Sequence, residues 1–373
     1  MKTRTIKNTL MLGLMSAALL ACGGDDMNSG STAQSAAEPQ QTYEWKLVTT
    51  WPKNFPGIGM VSETFADMVE ELSEGRMRIR VYGAGELVPA LEVFDAVSAG
   101  TAEVGHGTAY YWKGKAPETQ FFSALPFGMN GEEMESWLTY GGGMALWEEL
   151  YEPFNLIPMQ GGNTGVQMGG WFNKEINSLE DFRGLKMRMP GLGGEVLQRV
   201  GGVPVNLAAG EIYTSLQTGV IDATEFVAPL NDLALGFYDI ADYYYYPGWH
   251  EPGTILEFMF NKEIFEALPA DLQLIIRTAV EAASSRMSIE AIATNTTALE
   301  TLVEEHNVTL RQFPDDLTAE LYRVSQDIIN ELGQSSDIGR RILASYRDFE
   351  SRVTVYQDIS IEAYNRIRAQ QRQ

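Results

Sequence analysis

The sequence predicts an α/β protein of two domains followed by a long helical region. Strand-like and helix-like patterns alternate along the chain, which is typical of domains whose helices cover both faces of a sheet. Roughly 330 residues are expected to fold, from near Tyr43 onward, and this is more than one hydrophobic core usually serves. From Pro269 onward the pattern is almost entirely helical. Such a long terminal region usually packs across domains or against another chain.

The first part of the chain predicts an alternating series of strands and helices. "YEWKLVTTW" and "MRIRVYG" have the pattern of strands, and apolar residues at helical spacing from Gly57 to Leu72 predict a helix between them. Next, "ALEVFDAVSAG" predicts a helix that ends at Gly100, and "AEVGHGT" predicts a short buried strand. One further helix is expected from about Gly131 to Tyr151.

The series continues into a second region. "LIPMQGG", "VQMGGWF" and "GLKMRMPG" predict strands, and Ser178, three residues before Asp181, resembles a helix N-cap. Residues Pro269 to about Asn307 predict one long helix with a possible break. A short strand, "VTLRQF", and helices to the end complete the chain, without an internal repeat of fixed period.

The N-terminus has the pattern of an export signal. Three basic residues precede an apolar run from Leu10 to Leu20, which is too short to span a bilayer, so residues 1–21 are expected to be a signal peptide. "LLAC" resembles a bacterial lipobox, which predicts lipidation at Cys22; an ordinary signal peptide with an incidental cysteine is the alternative. Gly, Ser, Gln and Ala dominate residues 22–42, which we expect to act as a flexible tether.

Charge and cysteine count exclude several classes of protein. Without the three basic residues of the leader, 24 basic residues remain against 50 acidic ones, a net charge of −26. Such a surface repels nucleic acid and anionic lipid, so an anionic ligand needs a locally positive site. Cys22 is the only cysteine, which excludes disulfides within the chain and cysteine-rich metal sites. No second membrane segment is expected.

The usual catalytic motifs are missing. The three histidines, His106, His250 and His306, have no metal-ligand spacing such as HExxH, and there is no G-x-S-x-G elbow or Walker loop. "GLGGEVLQRVGG" resembles a dinucleotide-binding fingerprint only loosely. The sequence therefore favours binding over catalysis.

Four polar residues lie at or near the ends of predicted strands. They are Gln167, Arg188, Glu225 and Glu251. In open α/β sheets, ligands bind in crevices at the carboxyl ends of strands, which places these four plausibly together. The guanidinium fork of Arg188 suits an organic carboxylate. Each residue also has an alternative without a binding role. Arg188 would face solvent on an alternating strand, Glu225 would be an exposed carboxylate at a strand end, and Glu251 would cap a turn or a helix.

The stretch "ADYYYYPGWHEPGT" combines aromatic residues with Pro and Gly breaks around Glu251. Pro247, Gly248, Pro252 and Gly253 are expected to shape the chain where it crosses between domains. Trp51 and the "AYYW" stretch that contains Tyr111 would supply an apolar lid from the facing domain. At least two tyrosines between 243 and 246 are expected in the core, since alternation along a strand directs them to opposite faces.

Four motifs of the chain are "GTAEVGHGTAYYWKGKAPETQFFSALPFGM", "GNTGVQMGGWFNKEINSLEDFRGLKMRMPG", "GVIDATEFVAPLNDLALGF" and "YYYYPGWHEPG". Together they resemble the solute-binding receptors of TRAP transporters, in the DctP-type branch that takes 2-oxo acids and related monocarboxylates. The resemblance runs from about Tyr43 into the C-terminal helices. It implies a two-lobed fold like that of periplasmic binding proteins, with hinge strands and long C-terminal helices.

The resemblance also implies roles for individual residues. Arg188 binds the ligand carboxylate, and Gln167 contacts both ligand and cation. The side chain of Glu225, the backbone carbonyl of Phe226 and Glu251 complete the cation shell. Relatives commonly carry tryptophan where this chain has Phe226. The backbone carbonyl does not depend on the ring, so the cation ligand is kept, but the smaller ring should shape the pocket wall differently. The implied ligand-binding set is therefore Gln167, Arg188, Phe226, Glu251, Tyr111 and Trp51.

The net charge of the predicted site favours Ca²⁺ over Na⁺ as the bound cation, and Na⁺ is the alternative. The net charge of the site is −2, from Glu225, Glu251, Arg188 and a bound monocarboxylate. Ca²⁺ would bring this net charge to zero, and Na⁺ would leave −1. Oxygen ligands suit either ion. Chelation through the carboxylate and a 2-oxo or 2-hydroxy oxygen would select such acids.

The implied mechanism is binding without chemistry. Hinge closure of two lobes would present the closed form to a membrane permease. The expected limits are 43–165 with 253–297 for one lobe and 166–252 with 298–345 for the other. Residues 346–373 form a C-terminal helix that either pairs in a homodimer or folds back on a monomer. Rival functions are a periplasmic sensor of organic acids and, with less support, a metal-dependent hydrolase that uses Glu225 or Glu251 as a base.

Overall fold

The computed structural model describes residues 41–372. The predicted signal peptide, the lipidation site at Cys22 and nearly all of the predicted tether lie outside these residues. Within them, no helix combines the length and apolar character needed to cross a membrane.

The first sheet contains five strands in the order β2-β1-β3-β10-β4. Its strands are β1 (Tyr43–Thr49), β2 (Met77–Tyr82), β3 (Val104–Gly107), β4 (Leu156–Asn163) and β10 (Ile255–Asn261). β1 runs parallel to β2 and β3, whereas β10 is antiparallel to β3 and β4. The sheet is therefore mostly built from the first part of the chain, and one strand returns to it much later.

The second sheet contains six strands in the order β11-β9-β5-β8-β6-β7. Its strands are β5 (Gly170–Phe172), β6 (Lys186–Arg188), β7 (Val203–Val205), β8 (Ala223–Thr224), β9 (Tyr243–Tyr246) and β11 (Thr309–Gln312). β6 is parallel to β7 and β8, and β5 is antiparallel to β8 and β9. The two mixed sheets confirm the predicted α/β class. The residue limits proposed for the two lobes stay a prediction.

Helices surround both sheets. Those of the first half are α1 (Met60–Leu72), α2 (Val93–Ser98), α3 (Gly131–Tyr140), α4 (Gly143–Tyr151), α5 (Gly191–Arg199) and α6 (Ala209–Gln217). Those of the second half are α7 (Pro229–Leu235), α8 (Lys262–Glu266), α9 (Ala270–Glu300), α10 (Asp315–Gln334), α11 (Asp337–Ile359) and α12 (Ile361–Gln370).

The single helix predicted from Gly131 to Tyr151 is wrong, because the chain breaks there into α3 and α4. Gly142, between them, has φ 91°, a left-handed conformation that glycine adopts without steric cost. At the start of α3, the side chain of Asn130 accepts from Glu133 N and the Glu133 carboxylate accepts from Asn130 N. The run Gly141–Gly143 carried the signal for the break.

The C-terminal helices pack on elements from different parts of the chain. α9 packs against β4, α1 and α7, and α10 packs on α5. α11 then returns to α3 and α4. The predicted long helix from Pro269 is confirmed, with its end in a π-helical turn at residues 301–305.

The tyrosines of β9 alternate as the sequence predicts. Tyr244 stacks on Trp171 with ring centroids 4.1 Å apart, and Tyr245 stacks on Phe313 at 4.7 Å. The two rings belong to different hydrophobic clusters. They are therefore core residues, and they fix the strand that leads into the crossing segment.

Two segments carry the chain between the sheets side by side. Residues 164–169 leave β4, and residues 247–254 return to β10. The backbone N of Gln167 donates to the carbonyl of Glu251 at 3.2 Å, and Gly248 N donates to the carbonyl of Gln167 at 2.7 Å. A Cβ at Gly248 would lie 2.5 Å from that carbonyl oxygen, so only glycine permits this approach.

Candidate functional site

The crossing segments meet the ends of β6 and β8. Arg188 is the last residue of β6, and Glu225 directly follows β8. Both side chains are buried, with 1% and 0% of their surface exposed. The structure thus brings together two of the predicted residues at the carboxyl ends of parallel strands.

Arg188 is surrounded by acceptors and aromatic rings. Its Nη1 donates to the Glu225 carboxylate and, at 3.0 Å, to the Glu225 backbone carbonyl. Nη2 donates to the Tyr111 hydroxyl at 3.2 Å, and the guanidinium carbon lies 5.2 Å from the centre of the Phe226 ring. Burial lowers the pKa of Arg188, but Glu225 together with Tyr111, Tyr110 and Glu251 outweighs this effect, and the net pKa is raised. The site therefore contains a permanent positive charge.

Glu225 is shared between two partners. One carboxylate oxygen pairs with Arg188, and the other lies 3.2 Å from His250 Nε2. His250 is buried, and its Nδ1 has no hydrogen-bond partner among the described residues. His250 was not predicted as a site residue; its place beside Glu251 in "GWHEPG" was the available signal.

Gln167 and Glu251 form the second half of the site. Gln167 Nε2 donates to a Glu251 carboxylate oxygen at 2.7 Å and lies 2.9 Å from Thr254 Oγ1 and 3.2 Å from Thr164 Oγ1. The Thr254 hydroxyl also donates to Glu251. Neither threonine was predicted, because their roles depend on the pairing of two segments about 90 residues apart.

The donor set fits a hard cation. Single ligand atoms of Glu225, His250 and Glu251 lie within 4.8 Å of one another, and all three residues are buried. Gln167 Oε1 is buried and accepts no hydrogen bond within residues 41–372. Burial, followed by the charge of Glu225, raises the pKa of Glu251 to about 7. Two crowded carboxylates and an amide oxygen without a donor suit Ca²⁺ or Na⁺.

Asp232 anchors the loop that carries Glu225 and Phe226. Its carboxylate accepts from Trp171 Nε1 at 3.0 Å, from the Tyr244 hydroxyl at 2.6 Å and from Val227 N at 3.4 Å. Burial raises its pKa to about 6. The loop is thereby tied to the core strands β5 and β9.

Aromatic rings close the remaining sides. Trp51 lies 6.1 Å from Tyr111 and 6.5 Å from Phe226, measured between ring centroids. With Tyr110, Gln167 and Arg188 they line a cavity of about 10 Å³. Burial raises the pKa of Tyr111 to about 12, so its hydroxyl stays protonated. The residues predicted to bind the ligand and the cation therefore lie at one place, and the cavity has room for about one water molecule.

The chain matches the family model DctP, described as bacterial extracellular solute-binding protein, family 7, over residues 47–335. The chain belongs to this family. The predicted family and the predicted function of a TRAP-type solute-binding receptor are confirmed, and so is the two-lobed α/β fold.

Three relatives of this DctP-family chain are informative. The monocarboxylate 2-oxoacid-binding periplasmic protein of Nostoc sp. (strain PCC 7120) is 37% identical over 364 residues, 98% of each chain. Two TRAP periplasmic solute-binding proteins have solved structures. That from Colwellia psychrerythraea contains bound calcium and pyruvate, and that from Pseudoalteromonas atlantica T6c contains sodium and pyruvate. Each is 42% identical, with a TM-score of 0.85, and the match covers 87% of this chain and 99% of theirs.

Proposed function

We propose that this chain is the extracytoplasmic receptor of a TRAP transporter for small 2-oxo or 2-hydroxy monocarboxylates such as pyruvate. The observation that carries the proposal is Arg188, a buried permanent cation whose Nη1 already binds a carboxylate, that of Glu225. The relatives that bind pyruvate, or that are named for 2-oxo acids, support the same ligand class.

Glu225 occupies the position on Arg188 that a ligand carboxylate would take. A guanidinium fork pairs well with one carboxylate, so the ligand and Glu225 compete for Nη1. When the ligand takes this position, Glu225 is released towards Glu251. Two buried carboxylates would then face each other without a compensating charge, which is costly unless a cation joins them.

The residues that would hold the cation are Gln167, Glu225, Glu251 and the backbone carbonyl of Phe226. When bound, Ca²⁺ or Na⁺ supplies the missing positive charge and coordinates oxygens of the ligand. The relatives contain either of these two ions with pyruvate, so both alternatives from the charge argument occur in the family.

The remaining residues orient the ligand and exclude water. The Tyr111 hydroxyl accepts from Arg188 Nη2 and keeps its own proton to donate to the ligand, and Trp51 and Phe226 cover the apolar side of the cavity. The paired crossing segments at residues 164–169 and 247–254 form the hinge. Closure around the ligand produces the form that the membrane subunits of the permease recognise.

Membrane anchoring and self-association belong to the same proposal. Signal-peptide cleavage and lipidation at Cys22 would hold the receptor in the bacterial periplasm at a bilayer surface. Ile361, Tyr364 and Ile367 of α12 are exposed, so this helix presents an apolar face that a second copy could cover. Mass spectrometry of the membrane-extracted chain tests the lipid, and sedimentation tests the homodimer.

We propose that the site performs no chemistry on its ligand. Its function requires only reversible contacts of a guanidinium, carboxylates and an amide. Prolonged incubation of the protein with pyruvate and Ca²⁺ should return all of the pyruvate unchanged by proton NMR. Consumption of pyruvate at a constant rate would instead establish a catalyst.

The experiment that tests the function is calorimetric titration of the chelator-treated mature protein. Pyruvate should bind with added Ca²⁺ or Na⁺ and bind at least tenfold more weakly without either ion. Propionate has the same carboxylate but no 2-oxo oxygen, so it should bind weakly in both conditions. Equal affinity for both acids without a cation would leave a carboxylate receptor but would remove the cation site from the proposal.

A further inference from the structure

The ligand cavity lies between two loops that follow strands of different sheets. Trp51 and Ile58 line it from the first loop, residues 50–59, which joins β1 to α1. Phe226 and Val227 line it from the second loop, which joins β8 to α7. All four side chains are at most 7% exposed. A ligand enclosed between the two loops is therefore free to leave once they separate.

The first loop is fixed to its own sheet by hydrogen bonds. Lys53 Nζ donates to the carbonyl of Val81 at 3.3 Å, and Ala84 N donates to the carbonyl of Trp51 at 2.8 Å. Val81 lies in β2, and Ala84 follows that strand. The loop should therefore move together with the first sheet.

The second loop is fixed to the other sheet through Asp232 of α7. The Asp232 carboxylate accepts from Trp171 Nε1 in β5 and from the Tyr244 hydroxyl in β9. α7 begins within two residues of Val227. The first turn of this helix should therefore move together with the second sheet.

Asn231, the residue before Asp232, reaches from α7 to the first loop. Its Nδ2 donates to the Pro56 carbonyl at 2.8 Å, and the residue is only 4% exposed. Beside this bond, Leu230 lies 3.4 Å from the position that a Cβ of Gly57 would take. Two adjacent residues thus attach α7 to elements of different sheets, and separation of the two loops would break the bond of Asn231 but not those of Asp232.

A second polar contact between elements of the two sheets is exposed. Lys113 Nζ lies 3.1 Å from a carboxylate oxygen of Glu195 in α5, and the two side chains are 43% and 38% exposed. Ion pairs in contact with water contribute little, because both side chains lose freedom and solvent screens the charges. The buried amide of Asn231 is therefore the stronger candidate for holding the two loops together.

We propose that Asn231 is a positioning residue that holds the two loops together around a bound ligand and so sets the rate of ligand release; this rests on the proposed function. Asn231 does not line the cavity and acts through the loop that carries Trp51 and Ile58. When the loops separate, water replaces the partners of the Asn231 amide and of the Pro56 carbonyl. The hydrogen bond therefore contributes only its net value, and its loss should speed release about fivefold.

The test is stopped-flow measurement of pyruvate binding and release in saturating Ca²⁺, followed by tryptophan fluorescence. Asn231→Ala removes the donor, and Asn231→Asp keeps the shape of the side chain but places a carboxylate oxygen against the Pro56 carbonyl. Both variants should release pyruvate about fivefold faster than the wild type. Their association rate constants should stay within about twofold of the wild type, because the ligand enters before the loops meet.

Asn261 provides a matched control away from the two loops. Its Nδ2 donates to the carbonyl of Val97 at 2.9 Å, and the residue is 3% exposed, so the environment resembles that of Asn231. Asn261 ends β10 of the first sheet, and Val97 lies in α2, which precedes β3 of the same sheet. Asn261→Ala should lower the unfolding free energy in urea at least as much as Asn231→Ala does and leave pyruvate release unchanged.

The outcomes separate the role of Asn231 from the function on which it rests. Release at the wild-type rate in Asn231→Ala and Asn231→Asp, with normal pyruvate affinity, overturns this role alone. Equal acceleration of release in Asn261→Ala also overturns it, because the effect would then follow general stability. Failure of the wild type to bind pyruvate with either cation overturns the proposed function.

Discussion

Among the described residues, Glu257 and the pair Glu225 and Glu251 bury carboxylates in two different places, and of these two only the pair has the properties of a binding site. Glu257 of β10 is fully buried in the first sheet, where burial raises its pKa to about 7. Glu251 is also buried and has the same raised pKa. The Glu257 carboxylate accepts from Trp112 Nε1 and from the Tyr151 hydroxyl at 2.9 Å. Glu251 shares its surroundings with a second carboxylate.

The difference is the number of carboxylates and of buried polar atoms without a partner. Two donors satisfy the single carboxylate at Glu257, so this centre needs no ligand. At the other centre, two carboxylates lie close together beside one arginine, and Gln167 Oε1 and Arg188 Nε have no hydrogen-bond partner among the described residues. Burial and a raised pKa alone do not mark a binding site; crowded carboxylates beside buried polar atoms without partners do.

The largest expected effect on ligand affinity comes from removing the positive charge beside Glu225 and Glu251. Arg188→Ala leaves Glu225 without its ion-pair partner and the ligand carboxylate without a donor. Loss of one partner of a buried charged pair costs about 4 kcal/mol, so the Kd for pyruvate should rise roughly a thousandfold. Calorimetry with saturating Ca²⁺ measures this.

The matched control changes the charge at the other centre. Glu257→Gln should alter pyruvate affinity less than threefold, about 0.6 kcal/mol. A loss comparable to that of Arg188→Ala would show that the two centres are not functionally distinct.

Glu257 should instead determine how stability depends on pH. Its pKa in the folded protein, about 7, lies above the ordinary value of 4.5. Between these pH values the folded state retains a proton that the unfolded state has lost, so stability falls as pH rises from about 4.5 to about 7. The full loss is on the order of 3 kcal/mol.

Urea unfolding at pH 5 and pH 8 isolates this contribution. The wild type should lose more unfolding free energy than Glu257→Gln between the two pH values. Asp232 and Glu251 have raised pKa values in both proteins, so their contributions cancel in the difference. Equal losses in the two proteins would contradict the assignment to Glu257.

The smallest expected effects, on affinity at one centre and on stability at the other, come from removing one tyrosine hydroxyl at each. Tyr111→Phe removes a hydrogen bond to Arg188 and should weaken pyruvate binding about fivefold, or 1 kcal/mol. Tyr151→Phe removes a donor to Glu257 and should lower the unfolding free energy by about 1 kcal/mol with unchanged affinity. Affinity loss in Tyr151→Phe together with intact binding in Tyr111→Phe would reverse the assignment of the two centres.

The sequence allowed the site residues to be predicted as a group, but not their pairings. Strand-end positions and the family motifs placed Gln167, Arg188, Glu225 and Glu251 together. They assigned Arg188 to the ligand and Glu225 to the cation, whereas the structure pairs the two side chains with each other. Side-chain rotation decides between these arrangements, and a sequence pattern carries no information about it.

Contacts between the two crossing segments were the other part that could not be predicted. Thr164 and Thr254 reach Gln167 and Glu251 only because two distant segments run side by side. In contrast, the alternation of Tyr244 and Tyr245 was predictable, since strand geometry is local. The break between α3 and α4 was also local, but it was missed because apolar periodicity continued through the glycines.

The central claim is that the ligand carboxylate displaces Glu225 from Arg188 and that Glu225 then binds the cation, so that cation and ligand carboxylate bind cooperatively. The most direct test is to measure the Kd for Ca²⁺ with and without pyruvate, and the Kd for pyruvate with and without Ca²⁺. Each ligand should strengthen the other by the same factor, at least tenfold, because coupling free energies are reciprocal. Affinities that do not depend on the other ligand would contradict the account.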